Sequence, residues 1–186
     1  QKGFGALAGP AYGSLWRICT ELDLQVVILG TGERWCEREL ETLASKLPNL
    51  TVFLKFDNRL AHLIEAGSDF FLMPSAYEPC GLNQMYSLRY GTLPIVRHTG
   101  GLADTVENYD PDRGSGTGFV FNDLTPDAIF GTVRWAVQTW FAKPDEIEAM
   151  RIRAMRKRFS WEDSAARYME LYTWALDRRR GLFPRT

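Results

Sequence analysis

Histidine and cysteine are scarce in this chain, with two of the first and three of the second in 186 residues. His62 and His98 lie far apart, and neither accompanies a serine or cysteine elbow, which argues against a hydrolase triad. Cys19, Cys36 and Cys80 are odd in number and lack CxxC spacing, so they form neither a disulfide framework nor a zinc site. A reducing compartment suits them. HExxH and GxxxxGK[ST] are both missing, and Gly30-Thr31-Gly32 falls short of GxGxxG because position 35 is Trp. No apolar run approaches the roughly 20 residues of a membrane-spanning helix. An excess of one charge is lacking too. With 22 Lys+Arg against 23 Asp+Glu, the net charge of −1 gives no overall basic field for nucleic acid. The basic runs at 151–158 and 178–180 read as solvated helix faces.

The length of 186 residues suits one domain with a real core. Short apolar runs recur at 25–29 (QVVIL), 51–54 (TVFL), 69–73 (DFFLM), 93–96 (LPIV) and 118–121 (GFVF). None alternates with polar residues, the pattern of strands buried on both faces of a parallel sheet. The spacers are long enough for crossover helices. Thr125-Pro126-Asp127 and Ser160-Trp161-Glu162-Asp163 read as helix starts, and Lys143-Pro144-Asp145-Glu146 begins another helix. The expected architecture is α/β, a doubly wound parallel sheet with trailing C-terminal helices.

Ligands in such sheets sit beyond the carboxyl ends of the strands. Pro74–Leu82 (PSAYEPCGL) follows one buried run and precedes a helical stretch at 83–90. That places Glu78 at a strand end and Gly81 near a helix start, where N–H groups and the dipole favour an anion. Glu78 would repel a phosphate, so it should face sugar hydroxyls or a developing positive charge; a surface turn residue is the plain alternative. Arg97-His98-Thr99-Gly100-Gly101-Leu102 repeats the strand–loop–helix form, and its glycine pair permits close backbone approach. Asp110-Pro111-Asp112 mimics a metal-binding DxD but reads as a turn. Asn49-Leu50-Thr51 matches a glycosylation sequon by chance.

Glu78-Pro79-Cys80-Gly81-Leu82 with Gln84, Tyr90-Gly91-Thr92-Leu93-Pro94-Ile95-Val96 and Thr99-Gly100-Gly101-Leu102-Ala103-Asp104-Thr105-Val106 together resemble the glycogen and bacterial-type starch synthases. Gln1-Lys2-Gly3, Gly30-Thr31-Gly32, Leu60-Ala61-His62, Thr117-Gly118-Phe119 and Phe159-Ser160-Trp161 fall in the same order, so the resemblance runs from residue 1 to about residue 176. These are retaining glucosyltransferases of GT-B architecture. The resemblance implies a Rossmann-like, nucleotide-sugar-binding C-terminal half, spanning residues 1–186 as a single domain. It implies Lys2 on the donor phosphates, Phe56 stacked on the base and Glu78 as the essential acidic residue near the donor glucose. Cys80, Gly81 and Leu82 would contact sugar and phosphate through the backbone. Asn83 stands where relatives often carry Thr. Thr99, Gly100 and Gly101 would form a sugar and phosphate wall, with Gly30 and Thr31 joining the donor-binding set. Tyr86, where related transferases carry a second Glu, fits the synthase branch.

The implied reaction moves glucose from ADP-glucose, with UDP-glucose as the other candidate, to the nonreducing end of an α-1,4-glucan with retention. No cofactor or metal is implied, since cationic side chains and helix N–H groups can neutralise the leaving diphosphate. Neither nucleic acid nor membrane is an expected partner. Bacterial cytoplasm or plastid stroma is the expected location. The family carries a strand and an Arg just before the Gln-Lys-Gly motif. Their absence is expected to leave apolar sheet edges open. The helices after about residue 144 are expected to lean toward an N-terminal GT-B domain, and without that domain the isolated chain should be inactive. A non-catalytic nucleotide- or carbohydrate-binding module of the same fold is the alternative. A partner-binding fragment, resting on the Arg-rich tail and aromatics, is a third.

Overall fold

The computed structural model describes residues 1–9 and 13–181. The five apolar runs form β1 (Val26–Leu29), β2 (Leu50–Phe53), β3 (Phe70–Met73), β4 (Leu93–Arg97) and β5 (Phe119–Phe121), each end within one residue of its expected place. Helices α1 (Phe4–Ala8) and α2 (Ser14–Glu21) precede β1. The crossovers are α3 (Arg34–Lys46), α4 (Asn58–Gly67), α5 (Asn83–Tyr90) and α6 (Gly100–Thr105). Helices α7 (Pro126–Ala142), α8 (Pro144–Arg156) and α9 (Trp161–Arg179) follow β5. All strand pairs are parallel, as the unalternating runs require.

Local chemistry sets the boundaries. Thr125 caps α7 by accepting from the Ala128 N–H at 3.2 Å, with Pro126 in the first turn, where a missing N–H costs nothing. Asp57 does the same for α4 through the Leu60 N–H at 2.9 Å. Pro94 lies inside a strand flanked on both sides, an unusual place for proline. The Leu93 N–H bonds Asp69 on the β3 side, so position 94 faces β5, and β5 begins only opposite Ile95. The absent donor therefore removes no ladder bond.

Among the described residues the expected sheet is divided in two, with β1 paired only to β2 and β3–β4–β5 forming the second part. A cavity of about 730 Å³ lies between the open edges of β1 and β3, lined by Val26, Ile28, Phe70 and Leu72 among others. What holds the two sheets together is a shared core rather than a ladder. Leu15 and Ile18 of α2, Leu40 and Leu43 of α3, Ile95 of β4 and Ile129 of α7 belong to one buried cluster. Met73, Val96, Leu102 and Val106 close the opposite face of the second sheet.

The chain forms two compact units, Gln1–Arg156 and Lys157–Thr186. Helix α8 belongs to the first and buries Ile147, Met150 and Ala154. The second contains α9, capped by Ser160 through the Asp163 N–H, with Tyr168, Met169, Tyr172 and Leu176 exposed. No helix among the described residues is long and apolar enough to cross a membrane.

Candidate functional site

The carboxyl ends of β3 and β4 carry most of the expected residues. Glu78 is buried in the loop that leaves β3. Its Oε2 lies 2.5 Å from Lys2 Nζ and accepts a hydrogen bond from Ser75 Oγ at 3.2 Å. Lys2 reaches it from 76 positions away because the start of the chain lies against this loop. The Ala76 N–H bonds the Gln1 carbonyl at 2.9 Å. Gly3 has φ +78°, and any Cβ there would overlap the Pro74 carbonyl, so only glycine lets the two segments approach this closely. The Lys2 side chain is 58% exposed and that of Glu78 only 9%, so the ammonium is open to solvent while the carboxylate is not.

The Glu78 loop is fixed from behind by α6. The Gly101 N–H donates to the Glu78 carbonyl at 2.9 Å. A Cβ on Gly100 would overlap that carbonyl, and one on Gly101 would overlap the carbonyl of Cys80. The glycine pair does serve close backbone approach, and the backbone approached is that of the site loop itself. Arg97 ties the loop after β3 to the segment after β5, donating to the Ala76 carbonyl at 2.5 Å and to the Asn122 carbonyl at 3.0 Å.

Helix α5 begins directly after this loop, and no side chain caps it. Its first N–H groups therefore favour an anion, with Gly81, Leu82 and Asn83 around them. Gln84, fully buried, donates from Nε2 to the carbonyls of Cys80 and Gly81 at 2.9 and 3.0 Å, and to Thr105 Oγ1 at 3.2 Å. Asn83 donates from Nδ2 to Glu65 Oε1 at 2.7 Å. Glu65 is buried in α4, and burial pushes its carboxyl above the ordinary glutamate range despite the opposing Asn83 bond and nearby His62. Ser75 and Arg97 lie within the segments read from the sequence, but their contacts with the loop are tertiary; Glu65 carries no local motif, and only the fold brings it to the loop.

The remaining candidates hang from the other sheet. Phe56 follows β2 and is 89% exposed, an open ring face. Gly30 follows β1, its N–H bonding the Phe53 carbonyl at 3.1 Å, and Thr31 is exposed beside it. These three form a group at the carboxyl ends of β1 and β2. Thr99 stands at the start of α6. Burial pushes the Cys19 thiol up to about 11 and raises that of Cys36, so neither is a nucleophile. Asp110 Oδ1 accepts from the Asp112 and Arg113 N–H groups, which is a turn, and no metal-binding cluster occurs among the described residues. Asn49 donates to the Cys19 and Leu24 carbonyls, so the sequon residue serves the fold.

Residues 11–157 match the family model described as Glycosyl transferases group 1. The chain is 56% identical over 182 residues to a glycogen synthase of Treponema denticola, covering 98% of this chain and 37% of that one. It is 52% identical to glycogen synthase 1 of Geobacter sulfurreducens, over 98% of this chain and 36% of that one. The catalytic domain of starch synthase IV from Arabidopsis thaliana, solved with ADP and acarbose, superposes with a TM-score of 0.81 at 33% identity, over 95% of this chain and 36% of that one. The chain thus spans about a third of the length of the curated relatives it matches. With the matched segment covering most of the sequence and the fold agreeing, the chain belongs to the group 1 glycosyl transferases.

Proposed function

We propose that this chain forms the nucleotide-sugar-binding part of a bacterial glycogen synthase, which moves glucose from ADP-glucose to the nonreducing end of an α-1,4-glucan with retention. The Lys2–Glu78 pair beside the uncapped start of α5 carries the reading. One buried carboxylate, one solvent-exposed ammonium and a helix start without a side-chain cap stand at the same loop. The diphosphate takes the N–H groups and Lys2, whose charge offsets that which builds on the leaving group. Glu78, left by Lys2 but still bonded by Ser75, faces the positive charge that develops on the glucosyl ring. Phe56 offers its exposed ring to the base. Cys80, Gly81 and Leu82 line the sugar and phosphate path, with Thr99, Gly100 and Gly101 behind it and Gly30 and Thr31 across from it. The glycogen synthase relatives, and the starch synthase structure that holds ADP and acarbose, support the donor and acceptor assignment. The acceptor surface and the second half of the cleft come from an N-terminal GT-B domain.

Calorimetric titration of the chain with ADP and UDP, beside a Lys2→Ala variant, tests this. ADP should bind more tightly than UDP, and Lys2→Ala should weaken it by at least about tenfold, the worth of a charge-assisted contact. No heat from either nucleotide with folded protein overturns the reading. The 186 residues alone should transfer no glucose to glycogen, and steady turnover by them would contradict the need for a second domain.

A further inference from the structure

Glu65 is an anomaly in the first unit. It is only 2% exposed, and while Oε1 accepts from Asn83, Oε2 is buried with no hydrogen-bond partner among the described residues. A half-satisfied buried carboxyl costs stability, and an apolar side chain of similar size would fill the space without that cost. Its position is not slack. The Glu65 carbonyl accepts from Thr92 Oγ1 at 2.5 Å, which ties this turn of α4 to the start of β4. A residue that is costly, rigidly held and bonded to the first residue of α5 calls for a role at that helix start.

The bond it makes dictates which end of the Asn83 amide is available. With Nδ2 turned to Glu65, Oδ1 is the open end, and no described residue donates to it. Asn83 is exposed and lines the same cavity as Lys2. An unrestrained asparagine beside a helix start would turn its NH₂ toward an anion. One held by Glu65 offers an acceptor, which repels phosphate oxygen and takes a hydrogen bond from a hydroxyl. We propose that Glu65 is a positioning residue that fixes Asn83 with Oδ1 outward, so that the start of α5 selects a donor with a sugar attached over the bare nucleoside diphosphate. Backbone N–H groups hold the phosphates, and the Asn83 carbonyl reads a sugar hydroxyl beside them. This rests on the donor-site reading above and adds a discriminating contact to it.

The test compares ADP-glucose with ADP on the whole chain by calorimetry, and follows the Asn83 side-chain amide by ¹H–¹⁵N NMR. Glu65→Met removes the acceptor at similar size; Glu65→Gln keeps an acceptor oxygen. Glu65→Met should weaken ADP-glucose roughly three- to tenfold, one hydrogen bond's worth, while ADP stays within about twofold. Glu65→Gln should restore the discrimination. Asn83→Ala should match Glu65→Met, and the double variant should lose no more than Asn83→Ala alone, since both act through one contact. The Asn83 amide signals should move in Glu65→Met. An equal loss for both nucleotides in Glu65→Met makes Glu65 a structural prop and overturns the proposal, as does no change for either. Wild type that binds neither nucleotide while its Asn83 amide still reports the Glu65 bond defeats the donor-site reading, and this role with it.

Discussion

Strands β1 and β4 are built from the same kinds of residue, VVIL against LPIVR, yet four consecutive residues of β4 are buried and none of β1 is. Val27 of β1 is 44% exposed, whereas Val96 of β4 is wholly buried. The difference lies in neighbours. β4 has a strand on each side and a packed cluster on each face, while β1 has one strand and the cavity. A run of apolar residues specifies a strand; how deeply it is buried is decided by what pairs with it. The contrast extends to the site. Glu78, Asn83 and Gly101 hang from the well-packed sheet, while Phe56, Gly30 and Thr31 hang from the thin one. The buried carboxylate and the loop that carries it thus belong to the better-packed sheet.

The largest effect should come from the cores of the two sheets. Ile95→Ala in β4 removes a side chain that is 2% exposed and should cost about 2–5 kcal/mol. Val27→Ala in β1 should cost under about 1 kcal/mol, because nearly half of its surface stays in water. Urea unfolding of both variants makes the comparison. Equal losses would mean that β1 is as buried in solution as β4, with the gap beside it closed.

A second contrast sets one glycine against another. A Cβ on Gly101 would overlap the Cys80 carbonyl, whereas one on Gly32, in the loop after β1, meets nothing within 4 Å. Gly101→Ala should therefore destabilise by about 1–3 kcal/mol and push the Glu78 loop off its support, weakening ADP binding. Gly32→Ala should stay within about 0.5 kcal/mol. Thermal melts read the first effect and calorimetry the second. A Gly101→Ala variant that melts with wild type would show that the loop is free to move.

Much of the second sheet was readable in advance because its features are local. The unalternating runs, Thr125, Ser160 and the Asp110 turn each carry their cause within a few residues. The loop at 78–82 could be placed by fold logic alone, as the carboxyl end of a strand before a helix. The partnership of Lys2 with Glu78 could not, since 76 residues separate them and only the resemblance suggested that they share a ligand. Gln84 and Glu65 were opaque as structural elements for a different reason. Each is a polar residue on a helix, a pattern that reads as solvated surface, yet Glu65 is buried where α4 meets α5 and Gln84 where α5 meets α6. Burial of that kind is a tertiary fact with no periodic signature.

Helix α4 is the crossover between the two sheets, and its Glu65 makes the finest test of how they are coupled. Burial raises the Glu65 carboxyl pKa, so the folded chain holds this proton more tightly than the unfolded chain does. Between the unfolded and folded pKa values the native state binds more protons, and stability falls as pH rises through that window. Glu65→Met cannot titrate. Its melting temperature should lie near that of wild type in mild acid, where both carboxyl states are protonated. It should pull ahead as pH rises above the ordinary carboxylate range. The His62 side chain, one turn earlier on α4, favours the charged form and trims the gain. A difference that shrinks with rising pH would reverse the sign and show that Glu65 is stabilised as an anion, with its second oxygen hydrated. An advantage that grows as expected would mean that the link between the sheets is kept less stable than packing allows, at the residue that sets the Asn83 amide.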